Sequence, residues 1–362
     1  IHMSIVLTPA QARSMMLRRH GLIEPYATPL EAMGAVFAVQ TQYAASLPMA
    51  LAVRTHGLKA GWHKKLAQND LVKSWTLRHT LHAQSASDHG LFLAAAGQRM
   101  FDRYVQFMTR SGALDEKTLR EMMDGILVAL ERGPLTRPEI HEHVPAWKEI
   151  SWTGWGADVM GLAYLGKVKL LITDGGPTQF ALHTAEAELE REEATQELVR
   201  RYFSNYGPAT YADFNYWTGL PAGLTKAAFE AVKPELTPVE IEGIKGQRWV
   251  YRPEVTEDVP KVKLLAKFDP LTMGHKDKSL FLPEKYRTQV IRIAGQIEAA
   301  VLINGQMAGT WRLTRKGKGG EITVEPFTKI AKARFPAIER EARRVGKALG
   351  LNPIGVKTVS LD

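Results

Sequence analysis

Apolar residues recur at helical spacing in DEKTLREMMDGILVALER (115–132) and EEATQELVRRYFSNY (192–206), and each stretch runs into a Gly-Pro break. After the breaks, GPLTRPEI (133–140) and GPATYADF (207–214) match in character, 74 residues apart. Thr136 and Thr210 stand where a helix cap belongs, with an acid three residues on: a capping box in the first copy and a short-armed version in the second. A further helical stretch follows each, GADVMGLAYLG and LTKAAFEAV. Then the period changes to two. KVKLLITDGGPTQFALH (167–183) reads as a hairpin turning at Asp-Gly-Gly, and LTPVEIEGIKGQRWVYR (236–252) as one turning at Lys245-Gly246. Helix, Gly-Pro turn, two helices and a two-stranded wing is the winged-helix plan.

A weaker copy opens the chain. TPAQARSMMLRRHG starts a helix with Thr8 as cap and Pro9 in the first turn, and TPLEAMGAVFAVQTQYAA repeats that start at Thr28 and Pro29. LVKSWTLRHTLHAQ (71–84) alternates like a hairpin strand. After Pro260, AAVLINGQMAGTWRLTRKGKGGEITVEPF reads as an antiparallel meander with an Asn304-Gly305 turn and a basic turn over 316–320. TKIAKARFPAIEREARRVGKALG closes the chain as a helix ended by Gly350. The expected fold is therefore α+β: three tandem winged-helix motifs (4–112, 113–184 and 185–258), then a C-terminal antiparallel β-region with a closing helix (259–362).

Composition adds the partner. The chain has 362 residues, 45% of them apolar, enough for two or three domains with buried cores. It has no cysteine, which excludes disulfides and thiolate metal sites. No apolar run reaches about 18 residues and no signal-like segment opens the chain, so a soluble, cytoplasmic, nucleoid-associated protein is expected. The opening Ile1-His2 reads as a cloning remnant and is set aside. From Lys261 to Asp362 there are 20 Lys and Arg against 9 Asp and Glu, so the last quarter holds all of the net +9. That asymmetry favours a polyanion, nucleic acid before membrane, since no basic amphipathic helix with exposed aromatics accompanies it. Winged helices lay a helix in the major groove and touch phosphate or the minor groove with the wing, although some serve as protein–protein modules.

One stretch resists a purely structural reading. MGAVFAVQTQYAASLPMALAV places Gln40 and Gln42 in an otherwise apolar run. On a straight helix residues two apart point about 200° apart, so the two carboxamides share a target only near a helix end, on a kink, or where the substrate wraps the helix. Pro48 puts such an end near 44–46. The alternative is one buried glutamine satisfying the backbone and one facing solvent. Arg78, Thr80 and His82 alternate along the expected strand and would share a face beside them. His275-Lys276-Asp277-Lys278 has no second ligand pair at metal spacing, so a phosphate-contacting loop is expected there and no metal. Arg312, Arg315, Lys316 and Lys318 line a hairpin and its turn, placed to grip phosphates or enter the minor groove, or else to form a solvated basic turn.

Together these segments resemble the bacterial tandem winged-helix DNA glycosylases of the AlkZ and YcaQ type. The match rests on Gln40-Thr41-Gln42 with LPMALAVRTHGL behind it, WTLRHTLH (75–82), GPATYADFNYWTGL (207–220), AKFDPLTMGHKDKS (266–279) and VLINGQMAGTWR (301–312), in order along nearly the whole chain. The resemblance implies action on bulky N7-alkylguanines and interstrand crosslinks, with the lesion approached in the duplex, and it implies that Gln40 and Gln42 are the catalytic pair. Two positions depart from the family pattern: Thr41 where an apolar residue is usual, and His79 where glycine follows the arginine. N7 alkylation already makes guanine a charged leaving group, so the reaction needs a placed water and a dipole facing an oxocarbenium-like sugar, which two amides can supply. No lysine can be placed near the glutamines by sequence, so an abasic product without strand cleavage is expected. No cofactor is expected. The partner is alkylated or crosslinked double-stranded DNA, met by a monomer. Alternatives are a non-enzymatic winged-helix DNA-binding regulator, for which no dimerisation helix is evident, and an interaction module of a larger complex.

Overall fold

Threonine starts the helices Pro9–Arg19, Pro29–Val36, Arg137–His143 and Tyr211–Thr218. In each, the side chain three residues on reaches back to the threonine N–H: Gln11, Glu31, Glu139 and Asp213, at 2.7–2.9 Å. These reciprocal caps satisfy donors that no helical carbonyl can reach, which is why each threonine marks a helix start in the sequence. The computed structural model describes residues 4–67, 70–110, 112, 114–150, 156–185 and 188–359; Ile1 and His2, and residue 113 of an expected domain boundary, lie outside them. The fold is mixed helix and sheet.

The chain divides into two compact units, residues 66–198 and residues 1–65 with 199–362. Both cuts fall inside expected segments, the first within 4–112 and the second within 185–258, in the helix Arg191–Asn205.

In the unit 66–198, the expected single strand over 71–84 is two strands. Leu71–Trp75 and Leu81–Ser85 pair antiparallel, Trp75 opposite Leu81. Between them the chain reverses through Leu77–His79, with Arg78 and His79 at φ 53° and 56°. Alternation alone does not reveal a turn that preserves the period on both sides. The strand Val168–Leu170 pairs with Leu71–Trp75 on one side and with Gln179–Leu182 on the other. Leu135–Thr136 closes that edge against Gln179 and Phe180. Helices Ala86–Thr109, Glu116–Leu130 and Ala157–Tyr164 supply the remaining core, with Phe92, Phe101, Ile126 and Leu162 buried.

In the other unit, the hairpin Thr237–Ile241/Ile244–Val250 turns at Glu242-Gly243, because Ile241 pairs with Ile244. The turn expected at Lys245-Gly246 is instead an irregularity within the second strand, where Gly246 takes φ 96°. The N-terminal strand Ile5–Leu7 adds to this hairpin in parallel. Beyond it, Val262–Leu265, Ala300–Ile303, Gln306–Lys316 and Gly319–Pro326 form an antiparallel run, with the expected turn at Asn304-Gly305 and a second turn at 317–318, tighter than the expected 316–320 because Lys316 and Gly319 pair. A fifth strand, Ile354–Thr358, lies parallel to Gly319–Pro326. It follows the helix Phe335–Leu349, and a strand returning after a helical crossover pairs in parallel. That helix starts later than expected, at Phe335, and ends at Gly350 in the left-handed conformation (φ 69°). The strands and helices close over Leu7, Met16, Leu17, Leu265, Phe281 and Leu302, all buried.

Candidate active site

The helix carrying the approach to Gln40 ends at Val36, well before the glutamines. Phe37 takes φ 61° and ψ −45°, a strained γ-turn conformation that an aromatic residue adopts only when its surroundings impose it. Here they do. The Phe37 ring is fully buried against Trp217 (5.1 Å, edge to face), with the Arg201 guanidinium 5.8 Å from its centroid. Carbonyls at the helix end are also claimed: Tyr206 Oη donates to Val36 O at 2.7 Å, and Asn205 Nδ2 and Arg201 Nη2 to Gly34 O at 3.2 Å. Ala38 N–H closes a tight bend onto Val36 O. The chain leaves this bend extended through Val39–Gln40.

That replaces the expected placement of the glutamines at a helix end near 44–46. The strand stops at Gln40 and the chain bends at Gln42, and across this bend Gln40 Nε2 donates to Gln42 Oε1 at 2.6 Å. Gln40 is buried (5% exposed) while Gln42 is exposed, so one amide anchors and orients the other. Gln42 Oε1 keeps a second acceptor site and its NH2 both donors. Thr41 is buried between them, its hydroxyl without a hydrogen-bond partner among the described residues.

Behind the pair, the short helix Ser46–Ala52 is fastened to the segment 266–275. Ser46 Oγ donates to Lys267 O at 2.7 Å. Arg54 makes a two-pronged contact with Asp269, at 2.9 and 2.6 Å, with both side chains fully buried. Asp269 also accepts from Leu271 N–H and so caps its own short helix. The sequence reading missed Phe37, Arg54 and Asp269. An arginine inside an apolar run and an Asp-Pro helix start were the available signals for the last two; Phe37 left none.

Tyr43, next after Gln42, is 44% exposed. It borders a cleft of ≈170 Å³ whose other walls include Met49, Lys267, Glu298, Trp311 and Arg312. Lys267 is thus a lysine lining the same cleft as Tyr43. Its ammonium is ion-paired with Glu298 at 3.4 Å.

A DNA glycosylase AlkZ-like family profile matches residues 33–348. The chain belongs to that family. It is 27% identical over 320 residues to the interstrand DNA cross-link repair glycosylase of Streptomyces sahachiroi, covering 82% of this chain and 84% of the relative. The solved structure of Streptomyces sahachiroi DNA glycosylase AlkZ shares the fold at TM-score 0.79 and 23% identity, covering 98% of this chain and all of that one. The enzyme is thus a DNA glycosylase. Among the described residues no helix is long and apolar enough to cross a membrane, and no group of three or more His, Asp or Glu could hold a metal.

The other site candidates of this glycosylase separate. His82 is 1% exposed; its Nδ1 donates to Thr80 O at 2.9 Å, and burial together with the Arg78 charge pushes it down to about 3. It is a neutral imidazole. Arg78 and Thr80 sit in the reversal rather than beside His82 on one strand face; Arg78 Nη2 lies 3.3 Å from His82 Nε2, and Thr80 Oγ1 donates to Leu77 O. His275 is 2% exposed, with its ring nitrogens 3.0 and 3.4 Å from the carbonyls of Tyr206 and Leu271. It is a core residue and cannot meet phosphate, a correction that follows from its two buried carbonyl partners. Lys276 is exposed, and its backbone N–H is held by Asp213 Oδ1. Arg312, Arg315, Lys316 and Lys318 are exposed on the hairpin; Arg312 pairs with Glu325 and Lys316 with Glu321.

Proposed function

We propose that this glycosylase is monofunctional and hydrolyses the N-glycosidic bond of N7-alkylated guanine in duplex DNA, with Gln40 and Gln42 as its catalytic amides. The observation that carries the reading is the paired carboxamides, 2.6 Å apart on a bend whose φ and carbonyls are held from all sides. Such a pair has no proton to give at neutral pH, which suits a leaving group that arrives already cationic. In the proposed step the bond from C1′ of the deoxyribose to N9 of the base breaks, and its electrons neutralise the alkylated ring. Gln42 Oε1 turns its dipole to the developing positive charge on the sugar, and a water held by the pair adds to C1′ and releases its proton to bulk solvent, leaving the abasic hemiacetal and the neutral base. A bend fixed before substrate arrives costs little reorganisation in the reaction.

A tandem winged-helix arrangement, which we propose as part of this reading, would suit DNA binding. In both expected copies with a Gly-Pro break, the residues at the threonine cap pair with the hairpin that follows: Leu135 and Thr136 with Phe180 and Gln179, and Ala209 with Trp249. Arg78, Thr80, Lys276, Arg312, Arg315, Lys316 and Lys318 are the residues we propose for backbone contacts. The relative named for interstrand crosslink repair extends the proposed substrates to crosslinked guanines.

The test is product analysis on a duplex carrying one N7-methylguanine and on one carrying an N7-linked crosslink. Free 7-methylguanine and an intact abasic strand are expected from the first; from the second, an intact abasic strand with the excised guanine still tethered to the other strand, and no covalent complex after borohydride treatment in either case. No abasic strand from either duplex would overturn the reading. Borohydride trapping through Lys267 would overturn its monofunctional part.

A further inference from the structure

We infer that the cleft between Tyr43 and Trp311 seats the planar substituent carried by the damaged guanine, and that it sets which adducts are released; this rests on the reading of Gln40 and Gln42 above. Three features of the cleft lead to this ligand. The first is position. Tyr43 is the residue after Gln42, one Cα step of about 3.8 Å along the chain, so a group attached to the reacting base need extend little to reach it. The second is the wall. Met49 and Trp311 are buried and Leu313 partly so, while Tyr43 presents a large ring to solvent from a loop whose neighbour Thr41 is buried. Trp311 cannot turn to bind a ligand through its N–H, which is spent on Leu265 O at 2.9 Å. What it offers is ring surface. An apolar wall with a solvent-facing phenol at its mouth fits a flat ring stacked on Tyr43 rather than a sugar or a phosphate.

The third feature is charge. Lys267 and Arg312 stand at the rim, each with a carboxylate partner, Glu298 at 3.4 Å and Glu325 at 2.5 Å. Both cations are partly exposed and remain open to a second anion. A flat ring on a phosphate-bearing strand matches an apolar interior with cations at the rim. In a crosslink the substituent on one guanine ends in another nucleobase, which is such a ring.

The experiment compares release of N7-benzylguanine with release of N7-methylguanine from otherwise identical duplexes, in the wild type, Tyr43→Ala and Tyr43→Phe. The quantity read is the benzyl-to-methyl ratio of kcat/KM. Tyr43→Ala is expected to lower that ratio about tenfold, the size of one lost ring–base stack, and Tyr43→Phe to keep it. An unchanged ratio in Tyr43→Ala, with the wild type releasing both bases, would overturn the cleft assignment and leave the glutamine reading standing. A fall in both rates by the same factor would also overturn it, since Tyr43 would then serve the methylated base equally. If the wild type releases neither base, the glycosylase substrate reading fails and this inference fails with it.

Discussion

At the scale of single residues, the glutamine pair was legible as a pair but not as a geometry. Two carboxamides in an apolar run point to polar work inside a core. Which side they face depends on Phe37, whose positive φ has no counterpart in a pattern of apolar and polar letters. Thr41 illustrates the same limit. Its hydroxyl is buried without a partner among the described residues, a condition that costs about 1–3 kcal/mol. Thr41→Val should therefore be neutral or raise the melting temperature while retaining activity; a clear loss of stability would mean that the hydroxyl is satisfied. Chemistry without a titrating group makes a second residue-scale prediction. With amides as the catalytic groups, kcat for N7-methylguanine release should vary less than about threefold between pH 7 and 9, measured on the same duplex. A sharp limb in that range would point to a general acid or base that the site reading omits.

Elements were read best where local chemistry sets them. The threonine caps and the Asn304-Gly305 turn depend on neighbours within three residues, and they stand where the sequence places them. Elements that depend on distant partners were harder. The Gly246 irregularity answers to Arg248, whose Nη1 donates to the carbonyls of Lys245 and Gly246 while Nη2 reaches Asp277. The parallel strand Ile354–Thr358 exists because the helix before it returns the chain to the sheet edge, with Ile354 lying where a Cβ on Gly346 would be 2.4 Å away. The Arg54–Asp269 contact is the clearest such tie, joining residues 215 positions apart behind the glutamine loop. Arg54→Met would leave Asp269 buried without its cation, and a loss of about 3 kcal/mol or more is expected in urea unfolding. Asp269→Asn on that background should recover part of it. A loss under about 1 kcal/mol in Arg54→Met would show that the contact does not fasten this region.

For the whole molecule, two electrostatic patterns matter. The C-terminal quarter holds the positive excess, and Arg315 and Lys318 extend from its hairpin into solvent. Replacing both by Ala should weaken DNA binding for any sequence and reduce the log–log salt slope by about 2. An unchanged slope would place the phosphate contacts elsewhere. The second pattern is a set of neutral histidines, buried except for the partly exposed His183. Burial pushes His82 and His89 down to about 3 and His183 to about 4, and it lowers His20 and His275 as well. Unfolded, these imidazoles take protons near pH 6.5; folded, each takes its proton at a lower pH. Stability should therefore be insensitive to them above about pH 7 and should fall as pH drops from 6.5 towards 4. Urea midpoints that stay constant over that interval would contradict their burial as neutral groups. The central claim is that the amide pair performs the bond cleavage, and single-turnover release of N7-methylguanine from duplex DNA tests it most directly. Wild type, Gln40→Ala and Gln42→Ala would be compared at saturating enzyme, with DNA affinity measured separately. The account predicts losses of about 10²-fold or more in each variant at unchanged affinity, about 2.7 kcal/mol of transition-state stabilisation. Wild-type rates in both variants would contradict it and return the two glutamines to a purely structural role.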